Sequence, residues 1–198
     1  MFRLSGKKNM TIRFLGEQWL ENKKMTVKLS TYYNYKRLLN DHIFADIGDK
    51  KYTALDKQHI NEYISSLMNS GRKDGKGDLS VSMTRDIIKA LRAIAKYAQL
   101  EYGLKNICDG ITVPKIKKPE AKTLLDGERK RLEKYLIDNI CLCNVSILLC
   151  LYTGLRIGEL CGLQWKDIDF RRGCLTVSKT VQRISLGNGK TVISIDTP

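Results

Sequence analysis

Two periods run through this chain, and they do not overlap. As far as Gly103 the apolar residues recur every three or four positions, the spacing of helices with one buried face. In CLTVSKTVQRI (174–184) and KTVISI (190–195) they alternate, the spacing of half-buried strands. Asn188-Gly189, between those two runs, is the dipeptide of a two-residue hairpin turn. No single bundle or single sheet accommodates both patterns. The fold class expected is therefore multidomain: an all-α part, then a mixed α/β part ending in an antiparallel β-hairpin.

The junction is also visible. NICDGITVPKIKKPEAKT, residues 106–123, holds two of the three prolines together with Lys115, Lys117, Lys118 and Lys122, and Lys105 stands just before it. Proline interrupts helices, and a run of like charges resists packing, so this stretch reads as a basic linker. The expected organisation is an all-α domain over 1–105, a linker over 106–123 and a mixed domain over 124–198. A length of 198 residues allows two small domains, and a hydrophobic fraction of 42% allows packed cores.

Four helices are expected in the first part. One covers about 11–23, with Ile12, Leu15 and Trp19 on one face. A second starts after Ser30 as its N-cap and gathers Tyr32, Tyr35, Leu39 and His42. A third follows Asp56 and carries Ile60, Ile64, Leu67 and Met68. After the polar loop SGRKDGKGD, the fourth runs from about Ser82 to Tyr102 and stops at Gly103. Beyond the linker, Asp126 opens a helix with Leu132 and Leu136 inward, and an apolar helix covers about 144–152.

Charge narrows the function. Lysine and arginine number 35 against 21 acidic residues, a net charge of +14. The excess is +9 over residues 1–105 and +5 over 106–198, so both parts share it. Such a balance points to a polyanion, most simply nucleic acid; plain solubility is the weaker explanation. On the fourth helix Arg85, Lys89, Arg92 and Lys96 are spaced i, i+4, i+7, i+11 and fall within roughly 60° of one another. Ile87, Leu91, Ile94 and Ala98 fall opposite, and Asp86 lies off the stripe. A cationic stripe about 16 Å long suits a row of phosphates, whereas an ordinary solvated face mixes signs. On the second helix Tyr33, Lys36 and Arg37 share a face opposite Tyr32 and Tyr35, placed either to touch sugar and phosphate or to fill the rim of the core.

Other classes recede. The six cysteines form no C-x-x-C, and no Cys/His cluster has zinc spacing, so they read as reduced core thiols of a cytosolic protein. MFRLSGKKNM lacks the apolar segment of a signal peptide, and the longest apolar run, 145–152, is far too short to span a membrane.

One arginine needs its own explanation. Arg156 is the only charge between Asp138 and Glu159, set in TGLRIGELCGLQW. Gly154 ends one helix, Arg156 opens the next turn, and Glu159 lies three residues on, within reach of an ion pair. Leu160, Leu163 and Trp165 are expected to anchor that turn in the core. A guanidinium is planar, always charged and matched to a phosphate in a two-point grip. The plainer alternative is a structural Arg156–Glu159 pair.

The longer stretch TGLRIGELCGLQWKDID, Thr153–Asp169, closely resembles the first-arginine motif of the tyrosine recombinases, the integrase family of phages and transposons. LRAIAKYAQLEYGLKNICDGITVPK, 91–115, is similar to that family's helix, interdomain linker and Pro-Lys exit, with Ile107 where the family often has proline. The resemblance covers about 11–198. It implies a four-helix core-binding domain followed by the N-terminal part of the mixed catalytic domain. It also implies site-specific cleavage and rejoining of double-stranded DNA for a mobile element, through a 3′-phosphotyrosyl link. No metal, nucleotide or other cofactor is implied, and the active form is a homo-tetramer on paired sites. Arg156 corresponds to the first catalytic arginine and Glu159 to the acidic residue that supports it.

The family's nucleophile and remaining catalytic residues follow that arginine. Here all nine tyrosines precede it, the last being Tyr152, and His42 and His59 lie in the first domain. Lys89-x-x-Arg92 fits a catalytic spacing but belongs to the stripe, and Lys179 and Lys190 align poorly with the hairpin lysine. The expectation is a C-terminally truncated integrase that binds DNA and does not cleave it. Rival expectations are a non-catalytic DNA-binding module, either a decayed integrase or a regulator, and a helical interaction protein whose charge is incidental.

Overall fold

A computed structural model of the chain describes residues 9–71, 77–113, 115 and 122–198. The chain divides into two compact units, Met1–Lys118 and Pro119–Pro198. The division falls inside the basic stretch 106–123.

The first unit is helical. Helix α1 spans Ile12–Lys24 and begins where the Thr11 hydroxyl accepts the Phe14 N–H at 3.2 Å. Helix α2 spans Leu29–Leu38, then runs through a π-helical turn, Leu39–Ile43, into a short helical turn, Phe44–Asp46. It starts before Ser30, and its N-cap Lys28 makes no side-chain cap, so the expected serine cap is corrected. Helix α3, Lys57–Ser70, is capped by the Asp56 carboxylate on the His59 N–H, and α4, Val81–Tyr102, by the Ser80 hydroxyl on the Met83 N–H. These caps satisfy donors that have no partner inside the helix. Gly103, at φ +64°, closes α4 in a left-handed conformation that a Cβ disfavours. Most of the loop 70–78 lies outside the described residues.

Ile12, Leu15 and Trp19 of α1 meet Leu39 and Ile43 of the π turn, Ile60, Ile64 and Leu67 of α3, and Ile87, Leu91 and Ile94 of α4 in one core. Each side chain so buried stabilises the unit by about 1.5–3 kcal/mol. The helix that the sequence marks as amphipathic therefore sits with its apolar face in the middle of the unit. The chain after Gly103 joins the same core: Leu104, Ile107, Cys108 and Ile111 are buried in it. The Tyr52 hydroxyl donates to the Lys105 carbonyl at 3.0 Å. Thus the first half of the basic stretch is packed against the helices.

The second unit mixes helices with hairpins. Helices α5 (Asp126–Asp138), α6 (Leu142–Thr153) and α7 (Ile157–Gly162) come first. Strands β1 (Ile168–Asp169) and β2 (Cys174–Leu175) form a small antiparallel pair that the sequence did not announce. Strands β3 (Thr180–Gly187) and β4 (Lys190–Asp196) form the expected hairpin, with Ile184 opposite Val192 and Val181 opposite Ile195. Asn188 and Gly189 both take positive φ, +52° and +72°, as a two-residue turn matched to the strand twist requires.

The apolar side chains buried in this unit, among the described residues, are Leu136 and Ile184. Leu142, Leu151, Ile157, Trp165, Ile193 and Ile195 are all exposed. Trp165, expected in the core, is 82% exposed, because no described residue covers the turn that carries it. The cysteines are corrected in the same way: Cys108 is buried, whereas Cys141, Cys143, Cys161 and Cys174 are exposed. No described helix is long and apolar enough to cross a membrane.

Candidate functional site

Gly154, at φ +71°, ends α6 with its N–H on the Cys150 carbonyl. The chain then leaves the helix in extended conformation, and Arg156 becomes the N-cap of α7. Glu159, in the first turn of α7, reaches back with both oxygens. Its Oε2 accepts the Arg156 backbone N–H and its Oε1 accepts the Arg156 Nη1, each at 2.9 Å. The reciprocal cap is impossible, since a guanidinium has no acceptor.

The two partners differ sharply in exposure. The Glu159 side chain is 11% exposed and that of Arg156 is 86% exposed. The carboxylate is therefore a buried brace, and the guanidinium stands in solvent with the rest of its N–H fork unoccupied by Glu159. The Arg156 backbone N–H, then its guanidinium, holds the Glu159 carboxyl below the usual carboxylate range, so the brace stays charged at neutral pH. A fixed cation with free, coplanar donors suits a phosphate.

Two glycines set the height of this platform. A Cβ on Gly158 would lie 2.5 Å from Thr180 Oγ1 and 3.1 Å from the Val181 carbonyl oxygen. A Cβ on Gly162 would lie 2.9 Å from the Lys179 carbonyl oxygen. Their four-residue spacing places both on one side of α7, which is thereby laid directly on β3. The signal in the sequence is the spacing of the two glycines in G-E-L-C-G, 158–162. Lys179 donates to Gln164 Oε1 at 2.6 Å.

The cationic face of α4 is present but is not uniform. Lys96 is exposed. Lys89 pairs with Asp86 at 2.9 Å, so Asp86 is not off the stripe as expected; one turn of helix brings i and i+3 together. Arg92 is half-buried and its Nη2 donates to the Ile111 carbonyl. Arg85 is partly buried.

Helices α2 and α4 bound a groove of about 370 Å³ lined by Thr31, Asn34, Tyr35, Arg37, Asp86 and Lys89, among others. It brings Arg37 and Lys89 to one concave surface and adds Asn34 and Thr31, which the sequence did not single out. Tyr35 lines the same groove as Arg37, so the expected opposition of the two is corrected; its ring also meets Trp19 edge-on at 5.0 Å. Lys36 lies over the Tyr33 ring, 5.8 Å from its centroid, and Tyr33 meets Tyr32 edge-on. Among the described residues no three His, Cys, Asp or Glu side chains gather to hold a metal ion.

Residues 11–68 match the phage integrase N-terminal SAM-like domain, and residues 115–195 match the phage integrase family. The chain belongs to the phage integrase family of tyrosine recombinases. Within that family it is 30% identical to a tyrosine recombinase of Pseudothermotoga lettingae, over 81% of this chain and 57% of the relative. It is 25% identical to the integrase of Staphylococcus phage L54a, over 92% of this chain and 55% of the relative. Its fold is similar to that of the Tn1549 transposon integrase in complex with transposon right end DNA. There the TM-score is 0.76 with 23% identity, over 96% of this chain and 57% of that one. A lambda integrase dimer bound to a core site gives a TM-score of 0.68 with 17% identity, over 97% of this chain and 50% of that one. The chain spans about half the length of the curated relatives it matches.

Proposed function

We propose that the protein is a site-specific DNA recombinase of a mobile element, which in its intact form breaks and rejoins duplex DNA through a phosphotyrosine intermediate. The single observation that carries this reading is Arg156, whose backbone N–H and exposed guanidinium are each held by one oxygen of a buried glutamate. In that role its free N–H donors grip the scissile phosphate and stabilise the charge that develops on its oxygens. Because the donors are already positioned, little reorganisation is needed as the charge appears. Glu159 does not touch the phosphate; it holds the arginine. Assembly as a tetramer on paired sites belongs to the same proposal.

The first unit supplies duplex binding. Arg37 of α2 and Lys89 of α4 line the groove between the two helices and, together with Arg85 and Lys96 of α4 and Tyr33 and Lys36 of α2, take phosphates in this reading. A reducing, cytosolic setting suits six free thiols, five of them at least partly exposed.

We further propose that these 198 residues bind DNA without cleaving it. Every tyrosine precedes Arg156, so no candidate nucleophile follows the arginine as the family's does. A nicked suicide duplex, which traps a covalent intermediate, tests the inactivity: no protein–DNA adduct is expected, and an adduct overturns it. Duplex binding across a salt series tests the interface. Lys96→Glu and Lys89→Glu are each expected to weaken binding and to lower the slope of log K against log salt by about one. Salt-insensitive binding would remove the interface altogether.

A further inference from the structure

The stripe on α4 contains one residue that its spacing misassigns. Arg92 points its guanidinium at the Ile111 carbonyl, nineteen residues along the chain. Ile111 is buried, as are Leu104, Ile107 and Cys108 between it and α4. The same segment is tied at a second point, where Tyr52 donates to the Lys105 carbonyl at 3.0 Å, and it is braced internally, where Asn106 Oδ1 accepts the Cys108 N–H at 2.9 Å. A backbone carbonyl at this depth needs a donor, and the described hydrogen bonds give it a charged one.

We infer that Arg92 is a positioning residue: it anchors residues 104–113 as a strap across the first unit and so fixes the point from which the chain departs toward the second. This rests on the recombinase reading above only for its consequence, since the strap holds the end of the unit whose α2 and α4 take the DNA. The anchoring itself is independent of DNA. Unlike the exposed Arg156, Arg92 is half-buried and its guanidinium is turned to a carbonyl inside the protein, so Arg92 leaves the list of DNA contacts that its spacing suggests.

Cys108 reports on the strap directly. It is part of the strap, with its side chain buried in the helical core, and burial pushes its thiol up to about 12, against the opposing pull of the Arg92 charge. Alkylation of Cys108 in the intact 198-residue chain, followed by peptide mass spectrometry, therefore reads strap opening. Arg92→Ala is expected to speed that alkylation by about tenfold or more, the loss of one charged hydrogen bond, while the salt slope of duplex binding stays at its wild-type value. Lys96→Ala is expected to do the reverse, with Cys108 unchanged and the slope lower by about one. Ser80→Ala, which removes the α4 cap far from the strap, separates general destabilisation from loss of the anchor. Three results would overturn the inference: no change at Cys108 in Arg92→Ala, an equal change in Ser80→Ala at matched thermal destabilisation, or a slope lowered by one in Arg92→Ala. If Lys96→Ala leaves the slope untouched while Arg92→Ala still opens Cys108, the DNA interface fails and the strap stands.

Discussion

Substituting Gly158 by alanine sets two effects of known sign against each other. Alanine favours a helix over glycine by about 1 kcal/mol, so on propensity alone Gly158→Ala slows the fraying of α7. The new Cβ, however, would stand 2.5 Å from Thr180 Oγ1 and 3.1 Å from the Val181 carbonyl oxygen. Threonine has a stiff χ1 and the carbonyl is backbone, so neither yields freely. Overpacking of this kind costs about 1–3 kcal/mol. The net is a loss of up to about 2 kcal/mol, or about 30-fold in local opening. Hydrogen exchange at the Leu160 N–H, bonded to the Arg156 carbonyl at 2.9 Å, is the local measurement. Adding Thr180→Ala removes the nearer clash and leaves only the carbonyl, which a shift of a few tenths of an ångström relieves. The double variant is expected to recover about 1 kcal/mol relative to additivity. Slower exchange in Gly158→Ala, or strict additivity with Thr180→Ala, would refute the claim that α7 rests directly on β3.

Two further perturbations test the electrostatics. Asp86→Asn frees Lys89 and removes the negative charge from the α2–α4 groove; it is expected to tighten duplex binding and steepen its salt slope by up to about one, measured by fluorescence anisotropy. Glu159→Gln removes the brace while keeping its shape. The folded carboxyl lies below its unfolded value, about 4.3. Its stabilisation is therefore present above that value and is lost as pH falls through the depressed one. Exchange at the Arg156 amide should accelerate in that acidic window in the wild type, and should be fast already at neutral pH in Glu159→Gln. An amide equally protected in both would show that the brace is not what holds the arginine.

Periodicity was sufficient wherever burial is one-sided. The apolar face of α4, with Ile87, Leu91 and Ile94, could be read directly because a 3.6-residue repeat has one place to go. The β3–β4 hairpin could be read because Asn188-Gly189 fixes its turn. The motif around Arg156 named its own partner, since Glu159 lies one helical turn away. What failed to show was set by contacts distant in sequence. Nothing local tells that Arg92 meets Ile111, or that Asn34 shares a groove with Lys89. Nor does hydrophobicity tell whether anything covers a residue: Trp165 and Leu142 look like core and lie open.

Uneven burial also decides what an optical melting curve of this chain will see. The chain has two tryptophans, and each unit holds one. Trp19 sits in the packed helices, and Trp165 already faces water in the folded state. On heating, the red shift of emission comes from Trp19 and therefore reports the first unit, while loss of the second passes almost unseen. Far-ultraviolet dichroism counts α5 and α6 equally with the rest. A gap between the two curves would measure how much less firmly the half carrying Arg156 is held than the half carrying α4.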